Sequence, residues 1–125
     1  MQFPNELKYS KEHTWLLVEG DTGTVGITEF AQSELGEIVY VDLPSIGKSF
    51  KKDEVFGSVE AIKTVSDLFM PVGGTITEIN TALKDNPTLI NTNTFKSGWM
   101  IKISLDDITQ LNSLLNAEAY QQLIT

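Results

Sequence analysis

Apolar and polar side chains alternate with a period of two along most of the chain, which is the pattern of half-buried β-strands. Residues 14–19 and 24–27 flank a turn at Gly20-Asp21-Thr22-Gly23 and predict a hairpin. Further strands are predicted at residues 38–42, 55–60, 68–70, 75–79 and 100–104. Proline and glycine residues separate these segments, as expected for turns.

A short helix is predicted after the first hairpin. Thr28 can act as its N-cap, and Gly36 follows the last helical residue, Leu35, as a C-terminal stop. Ala31 and Leu35 are four residues apart, so both would face the sheet.

Helical spacing returns at the C-terminal end, at Ile108, Leu111 and Leu115. Asn116 then resembles the N-cap of a helix over residues 117–124. The apolar face of that helix would be formed by Tyr120, Leu123 and Ile124. Many short strands with few helices indicate a mainly β fold, a sandwich or flattened barrel with helices packed outside.

Composition narrows the possible chemistry. The 125 residues suit one domain, residues 1–125, and no apolar run approaches the roughly 20 residues of a membrane helix. The chain contains no cysteine, which removes disulfides, thiolate catalysis and cysteine metal sites. His13 is the only histidine, so histidine-rich metal clusters are excluded as well.

The formal charge is −8, from 17 acidic residues and nine basic ones, all of them lysine. An acidic chain without arginine would repel nucleic acid and anionic membranes and would favour partners with basic surfaces. The acidic residues Glu29, Glu34, Glu37 and Asp42 form either a docking patch or a solvated face, and we favour the solvated face. The first residues lack an apolar or arginine-rich leader, so we expect a cytoplasmic protein or a mature form.

Lys63 lies between two alternating runs, in the stretch V-E-A-I-K-T-V-S-D-L. If both runs are strands, Lys63 is at the tip of a hairpin. The simplest interpretation is a solvated turn lysine. A covalent group carrier also needs one exposed lysine on a small rigid scaffold that can enter another enzyme's cleft. A Schiff-base lysine is disfavoured, because Glu60 and Asp67 nearby would oppose the lowered pKa that it requires.

His13 lies in E-H-T-W, at the start of a strand. A half-buried packing residue that hydrogen-bonds the backbone is favoured over a functional role. Glu12 and Asp67 are most simply solvated carboxylates.

With these residues assembled, the chain resembles the H-protein family of the glycine cleavage system. The resemblance rests on six blocks in the family's order: E-H-T-W (12–15), V-G-I-T-E-F-A-Q-S-E-L-G-E-I-V-Y-V-D-L-P (25–44), E-A-I-K-T-V-S-D-L-F-M-P-V-G-G (60–74), N-P-T-L-I-N (86–91), S-G-W-M-I-K-I (97–103) and L-L-N-A-E-A-Y (114–120). It implies a barrel-sandwich hybrid, the flattened β-barrel of lipoyl and biotinyl domains, with a C-terminal helix. Biotin carriers usually place their lysine between methionines, whereas Ile62 and Thr64 flank it here.

The resemblance implies that Lys63 carries (R)-lipoate in amide linkage. In the family, the lipoyl arm takes an aminomethyl group from glycine decarboxylase (the P protein) and passes it to a tetrahydrofolate-dependent aminomethyltransferase (the T protein). Dihydrolipoamide dehydrogenase (the L protein) then reoxidises the arm. A lipoate ligase or a lipoyl/octanoyl transferase would attach the cofactor. The chain would therefore be a carrier and not an enzyme, and its redox sulfurs would belong to the cofactor.

The residues implied for the lipoylation motif and for contacts with the arm are Glu60, Ile62, Thr64, Asp67, Glu12, His13 and Thr14. The sequence departs from the family at Thr14, where a carboxylate that holds the cationic loaded arm is usual. We therefore hypothesise that the loaded arm is held more loosely here, unless Glu12 or Asp67 substitutes. Ala61-Ile62 replaces the more usual Ser-Val and should not prevent modification.

Three other functions stay open. The chain could be a relay that hands lipoate or octanoate to 2-oxoacid dehydrogenases. It could be an unmodified structural β domain in which Lys63 is only a turn residue. It could also be a lysine-dependent enzyme, which would turn over without partners.

Overall fold

The computed structural model describes residues 1–125 and contains two antiparallel β-sheets. The strands are β1 (Lys8–Tyr9), β2 (Thr14–Glu19), β3 (Thr22–Ile27), β4 (Ile38–Asp42), β5 (Ser49–Phe50), β6 (Val55–Ala61), β7 (Val65–Phe69), β8 (Gly74–Ile79) and β9 (Ile101–Leu105). The large sheet has six strands in the order β1-β2-β3-β9-β8-β5, and the small sheet has three in the order β4-β6-β7. Neither sheet closes on itself, so β4 and β7 are edge strands.

The two sheets share one apolar core. Leu16, Val25 and Ile103 of the large sheet and Val59 and Leu68 of the small sheet belong to the same buried cluster. Burial of such side chains contributes roughly 1.5–3 kcal/mol each relative to exposure. The mainly β sandwich expected from the alternating pattern is therefore confirmed.

The helices are α1 (Glu29–Leu35), α2 (Ala82–Asp85), α3 (Leu89–Thr92) and α4 (Ala117–Leu123), with a 3-10 helix at Ile108–Ser113. As expected, Thr28 caps α1: its hydroxyl accepts a hydrogen bond from the Ala31 amide at 3.2 Å, and Gly36 ends the helix at φ 83°. Positive φ is accessible to glycine without steric penalty, which explains the stop. No helix is long and apolar enough to span a membrane.

The C-terminal helix α4 has the expected N-cap, but its apolar face differs from the expected one. The side chain of Asn116 accepts from the Ala119 amide at 2.8 Å and caps α4. Tyr120 is fully buried and Ile124 packs beside it, but Leu123 is 48 % exposed. The expected apolar face is thus too wide, because the buried residues of α4 are Ala117 and Tyr120 alone.

Four short elements escape the sequence analysis: β1, β5, α2 and α3. The segment 86–91, one of the six blocks of the family resemblance, contains most of α3. There Asn91 accepts from the Ile38 amide at 3.0 Å and donates to the Gly36 carbonyl at 2.9 Å. The helix α3 thereby fixes the junction between α1 and the small sheet.

Candidate functional site: a hairpin tip and the cleft beside it

Lys63 lies at the tip of the hairpin formed by β6 and β7. Glu60 pairs with Val65, and the Ala61 amide donates to the Thr64 carbonyl at 2.8 Å, which closes the turn. Lys63 itself is exposed, and its neighbour Ile62 is 71 % exposed. The only salt bridge in the chain joins Lys102 to Glu78, so no ion pair holds the Lys63 ammonium group. The Lys63 side chain is therefore accessible to a molecule from outside.

A cleft of about 180 Å³ lies between the free edge of β7 and helix α1. We call it the edge cleft. Its apolar lining comes from both sheets and from α1, namely Ile27, Phe30, Ala31, Leu35, Val59 and Leu68. Its polar lining is Glu12, His13, Thr14, Glu34, Ser66 and Asp67. Ser66–Leu68 are three to five residues beyond Lys63, roughly 10–17 Å along an extended strand.

The cleft exists because β7 has no strand partner on its outer side. Two anchors hold α1 opposite that edge: the Thr28 cap at its start and the Asn91 side chain at its end. Asn91 also donates to the Gln32 side chain of α1 at 2.8 Å. The walls therefore belong to separately anchored elements, which favours a preformed groove.

His13 lines the cleft with a backbone φ of 68°, an unusual value for a residue other than glycine. Its ring lies 5.0 Å from the Phe30 ring, measured between centroids, and its Nδ1 is 2.8 Å from the Tyr120 hydroxyl. Burial lowers the pKa of His13 from its usual value, against the opposing effect of Glu12 and Glu34. The imidazole is thus neutral near pH 7.

A chain of hydrogen bonds connects His13 to α1 and α4. The Tyr120 hydroxyl is also 2.8 Å from the Thr28 hydroxyl, which already accepts from the Ala31 amide. We assign the order of donation as Ala31 amide to Thr28, Thr28 to Tyr120, and Tyr120 to His13 Nδ1. This order gives each hydroxyl one donor and one acceptor role, and it requires an unprotonated Nδ1. It agrees with the lowered pKa of His13.

Thr14 lines the same cleft, but its hydroxyl is engaged. The Thr14 and Ser10 hydroxyls are 2.6 Å apart, and the Thr14 side chain is almost fully buried. Thr14 therefore contributes no charge to the cleft.

The negative charge of the cleft comes from Glu12, Glu34 and Asp67. All three side chains are exposed, so they form an acidic rim above an apolar floor. Such a rim attracts a cation, and the floor suits an apolar chain. No group of three or more histidine, cysteine, aspartate or glutamate side chains is arranged to hold a metal ion.

Comparison with known proteins agrees with this geometry. The sequence model of the family described as glycine cleavage H-protein matches residues 7–125. The chain is 52 % identical over 124 residues to the glycine cleavage system H protein of Staphylococcus carnosus, covering 99 % of this chain and 98 % of that one. It is 50 % identical, with the same coverage, to the H protein of Geobacillus thermodenitrificans.

A solved structure is similar as well. The crystal structure of a glycine cleavage system H protein from Mycobacterium marinum has a TM-score of 0.88 and 36 % identity, covering 96 % of this chain and 97 % of that one. The chain belongs to the glycine cleavage H-protein family. The resemblance found in the sequence is thereby confirmed, and with it the fold class.

The structure divides the residues singled out in the sequence into two groups. Glu12, His13, Thr14 and Asp67 come together in the edge cleft. The other three, Glu60, Ile62 and Thr64, lie outside the cleft, on or beside the hairpin tip. The expectation for His13 was wrong in one respect, because its ring bonds the Tyr120 hydroxyl and not the backbone.

Sequence reasoning missed Phe30, Glu34 and Tyr120 as parts of the site. Glu34 was grouped with Glu29, Glu37 and Asp42, none of which lines the cleft. The available signal was the helical spacing in α1: Ala31 and Leu35 were expected to face the sheet, and Glu34 is three residues after Ala31. Tyr120 is 107 residues from His13, and no local pattern links the two.

Proposed function

We propose that this chain is the lipoyl carrier of a glycine cleavage system, with lipoate attached to Lys63. The observation that carries the proposal is an exposed Lys63 at a hairpin tip whose second strand, β7, forms one wall of a cleft. A lysine that receives an acyl group must be accessible to another enzyme's active site, and Lys63 is. Residues 1–125 would act as one carrier domain.

The residues present fit lipoate. Its hydrocarbon chain and ring are apolar, as is the floor of the edge cleft, and its amide linkage removes the charge of Lys63. The bound group would supply a disulfide that accepts the aminomethyl group of glycine, yields it to the tetrahydrofolate-dependent transferase and is reoxidised by the dehydrogenase. This chain would supply the Lys63 side chain as the attachment point and the edge cleft as the binding site for the arm.

In this function the residues of the edge cleft bind the lipoyl arm and shield it from water while no partner enzyme is bound. Leu35, Val59 and Leu68 exclude water from the floor of the cleft. The carboxylates of Glu12, Glu34 and Asp67 stabilise a cationic cargo, and the neutral His13 adds no opposing charge. Tethering on Lys63 makes each transfer effectively intramolecular once a partner has docked.

The chain would thus be a carrier and not an enzyme, with glycine decarboxylase, the aminomethyltransferase and dihydrolipoamide dehydrogenase as partners. A cytoplasmic location stays a prediction. A relay of lipoate or octanoate to 2-oxoacid dehydrogenases also stays open. It can be tested with an amidotransferase assay that uses the Lys63-lipoylated chain as donor.

The proposal is tested by intact-mass spectrometry after incubation with lipoate ligase, ATP and lipoate. We expect a single lipoyl adduct on the wild type and none on Lys63→Arg, with Lys84→Arg as a control that is modified like the wild type. An unmodified wild type would instead support an unmodified β domain.

The replacement of the family's carboxylate by Thr14 has its own test. We expect a loaded arm to be held less tightly here than in a Thr14→Glu variant, because Thr14 is uncharged and bonded to Ser10. The measurement is the rate at which the loaded carrier loses its one-carbon group to water. Equal rates would mean that the rim carboxylates, Glu34 among them, already supply the missing charge.

A further inference from the structure

Exposed apolar side chains concentrate on the small sheet. Of the nine large apolar residues that are well exposed, five lie on its strands or its hairpin tip: Val39, Tyr40, Val55, Ile62 and Val65. Single exposed apolar residues are ordinary, whereas a cluster on one sheet marks an interaction surface.

The strand register shows which of these side chains share a face. Tyr40 is opposite Glu60, and Glu60 is opposite Val65. Directly opposed residues of antiparallel strands point to the same side, so the three form one row across the sheet. All three are exposed, with Tyr40 at 55 % and Val65 at 63 %, so the row faces outward.

A second row lies parallel to the first, where Asp42 is opposite Ser58 and Ser58 is opposite Asp67. The two rows together define the outer face of the small sheet. Its acidic side chains are Asp42, Glu60 and Asp67. Lys48, beside Asp42 and Asp67 in a depression at its base, is the one cation there. Tyr40 and Val65 flank the central Glu60, and Asp42 and Asp67 lie in the neighbouring row. Such a face is complementary to a partner surface that combines apolar and basic groups.

We propose that the outer face of the small sheet is the docking surface for the enzyme that acylates Lys63. This inference rests on the proposed function. Partners that react with the far end of a lipoyl arm can dock anywhere within the arm's reach. The acylating enzyme must instead bring Lys63 Nζ itself into its active site, so it must contact the surface next to the hairpin tip. The Tyr40–Glu60–Val65 row is that surface, since Val65 is two residues from Lys63.

The step served by this docking is an acyl transfer. The ligase first activates the lipoate carboxyl with ATP as an acyl adenylate and releases pyrophosphate. The uncharged amine of Lys63 then attacks the acyl carbonyl; a C–N bond forms and the C–O bond to AMP breaks. One amine proton leaves to solvent, and no electron transfer occurs.

The test compares kcat/KM for lipoylation by lipoate ligase, followed by intact mass, in the wild type and in Tyr40→Ala/Val65→Thr. We expect the double variant to lose at least tenfold, because a few anchor residues, often tyrosine, carry most of the affinity of an interface. Ile108→Thr is the matched control, since Ile108 is 62 % exposed but lies in the 3-10 helix. It should stay within twofold of the wild type, and urea midpoints should show that all variants fold.

A second measurement identifies the partner. Carrier loaded to completion by long incubation is reduced and then reoxidised by dihydrolipoamide dehydrogenase. We expect the double variant to be reoxidised within twofold of the wild-type rate, because that enzyme acts at the arm's end. Lipoylation of the double variant at the wild-type rate would overturn the inference while leaving Lys63 as the attachment site. Equal losses in both assays would overturn the assignment to the acylating enzyme, and no lipoylation of the wild type would contradict the proposed function itself.

Discussion

The Tyr120 hydroxyl joins three distant parts of the chain through two hydrogen bonds, to His13 and to Thr28. Because Tyr120 is fully buried, water cannot replace the hydroxyl once it is removed. Tyr120→Phe would leave the buried Thr28 hydroxyl and the half-buried His13 ring without this partner, which costs about 1–3 kcal/mol. We expect the free energy of unfolding in urea to fall by that amount.

Tyr40→Phe serves as the control for that variant. Tyr40 is 55 % exposed, so water can solvate the groups around it after the hydroxyl is removed. Its effect should be within about 0.5 kcal/mol, as for most surface substitutions. Equal effects of the two variants would mean that the bonds of Tyr120 add nothing to stability.

His13 should make stability depend on pH. Its pKa is lowered in the folded protein by burial, so the unfolded chain binds more protons below the ordinary His pKa of about 6.5. The free energy of unfolding therefore rises with pH up to that value, and the stabilisation is lost as the pH falls below it. Protonation would also reverse the bond that Tyr120 donates to Nδ1.

His13→Asn tests this dependence, since asparagine tolerates the positive φ of this position better than most residues. Urea unfolding between pH 5.5 and 7.5 should show a shallower pH slope for the variant than for the wild type. Its absolute stability will be lower, so the slope is the readout. Parallel slopes would show that His13 titrates alike in the folded and unfolded states.

At the scale of elements, β6 is packed closely against β4 near its start, at the end of the hairpin away from Lys63. The register between β6 and β7 shifts between Val55 and Gly57. A Cβ on Gly57 would overlap the backbone carbonyl of Asp42 in β4, which cannot move aside as a side chain could. Gly57→Ala should therefore cost roughly 2–3 kcal/mol, near the upper end for overpacking.

Urea unfolding of Gly57→Ala checks this value, with Gly20→Asn as the control. Gly20 has a φ of 65° and open space around it, so asparagine should change stability by about 0.5 kcal/mol or less. A neutral Gly57→Ala would mean that β4 and β6 can separate at little cost.

The elements also show how far sequence reasoning reaches. Strands such as β2 and β4, and the α1 caps at Thr28 and Gly36, are encoded in patterns a few residues long, and they were predicted closely. The two-residue strands β1 and β5 are too short to alternate, so they escaped. The hairpin tip was predictable because two strand patterns flank Lys63. The cleft was not, because it arises where an edge strand meets a helix 30 or more residues earlier in the chain.

At the scale of the whole molecule, the chain has a net charge of −8 and a single salt bridge, between Lys102 and Glu78. The folded chain therefore brings acidic side chains together with few cations beside them. Salt screens such repulsion over a Debye length of about 10 Å at 0.1 M. We expect the free energy of unfolding in urea to rise between 0.01 and about 0.2 M NaCl.

Added salt should have the opposite effect on docking. If the acidic face meets a basic partner, added salt should slow lipoylation while it stabilises the carrier, because screening weakens attraction and repulsion alike. Glu19→Lys separates the two effects. Glu19 is exposed at the end of β2, and the substitution changes the net charge from −8 to −6. Its stability should gain less from salt than that of the wild type, while its lipoylation should keep most of its salt dependence. A fold that loses stability on adding salt would show that attractive pairs outweigh the repulsion of the excess acidic residues.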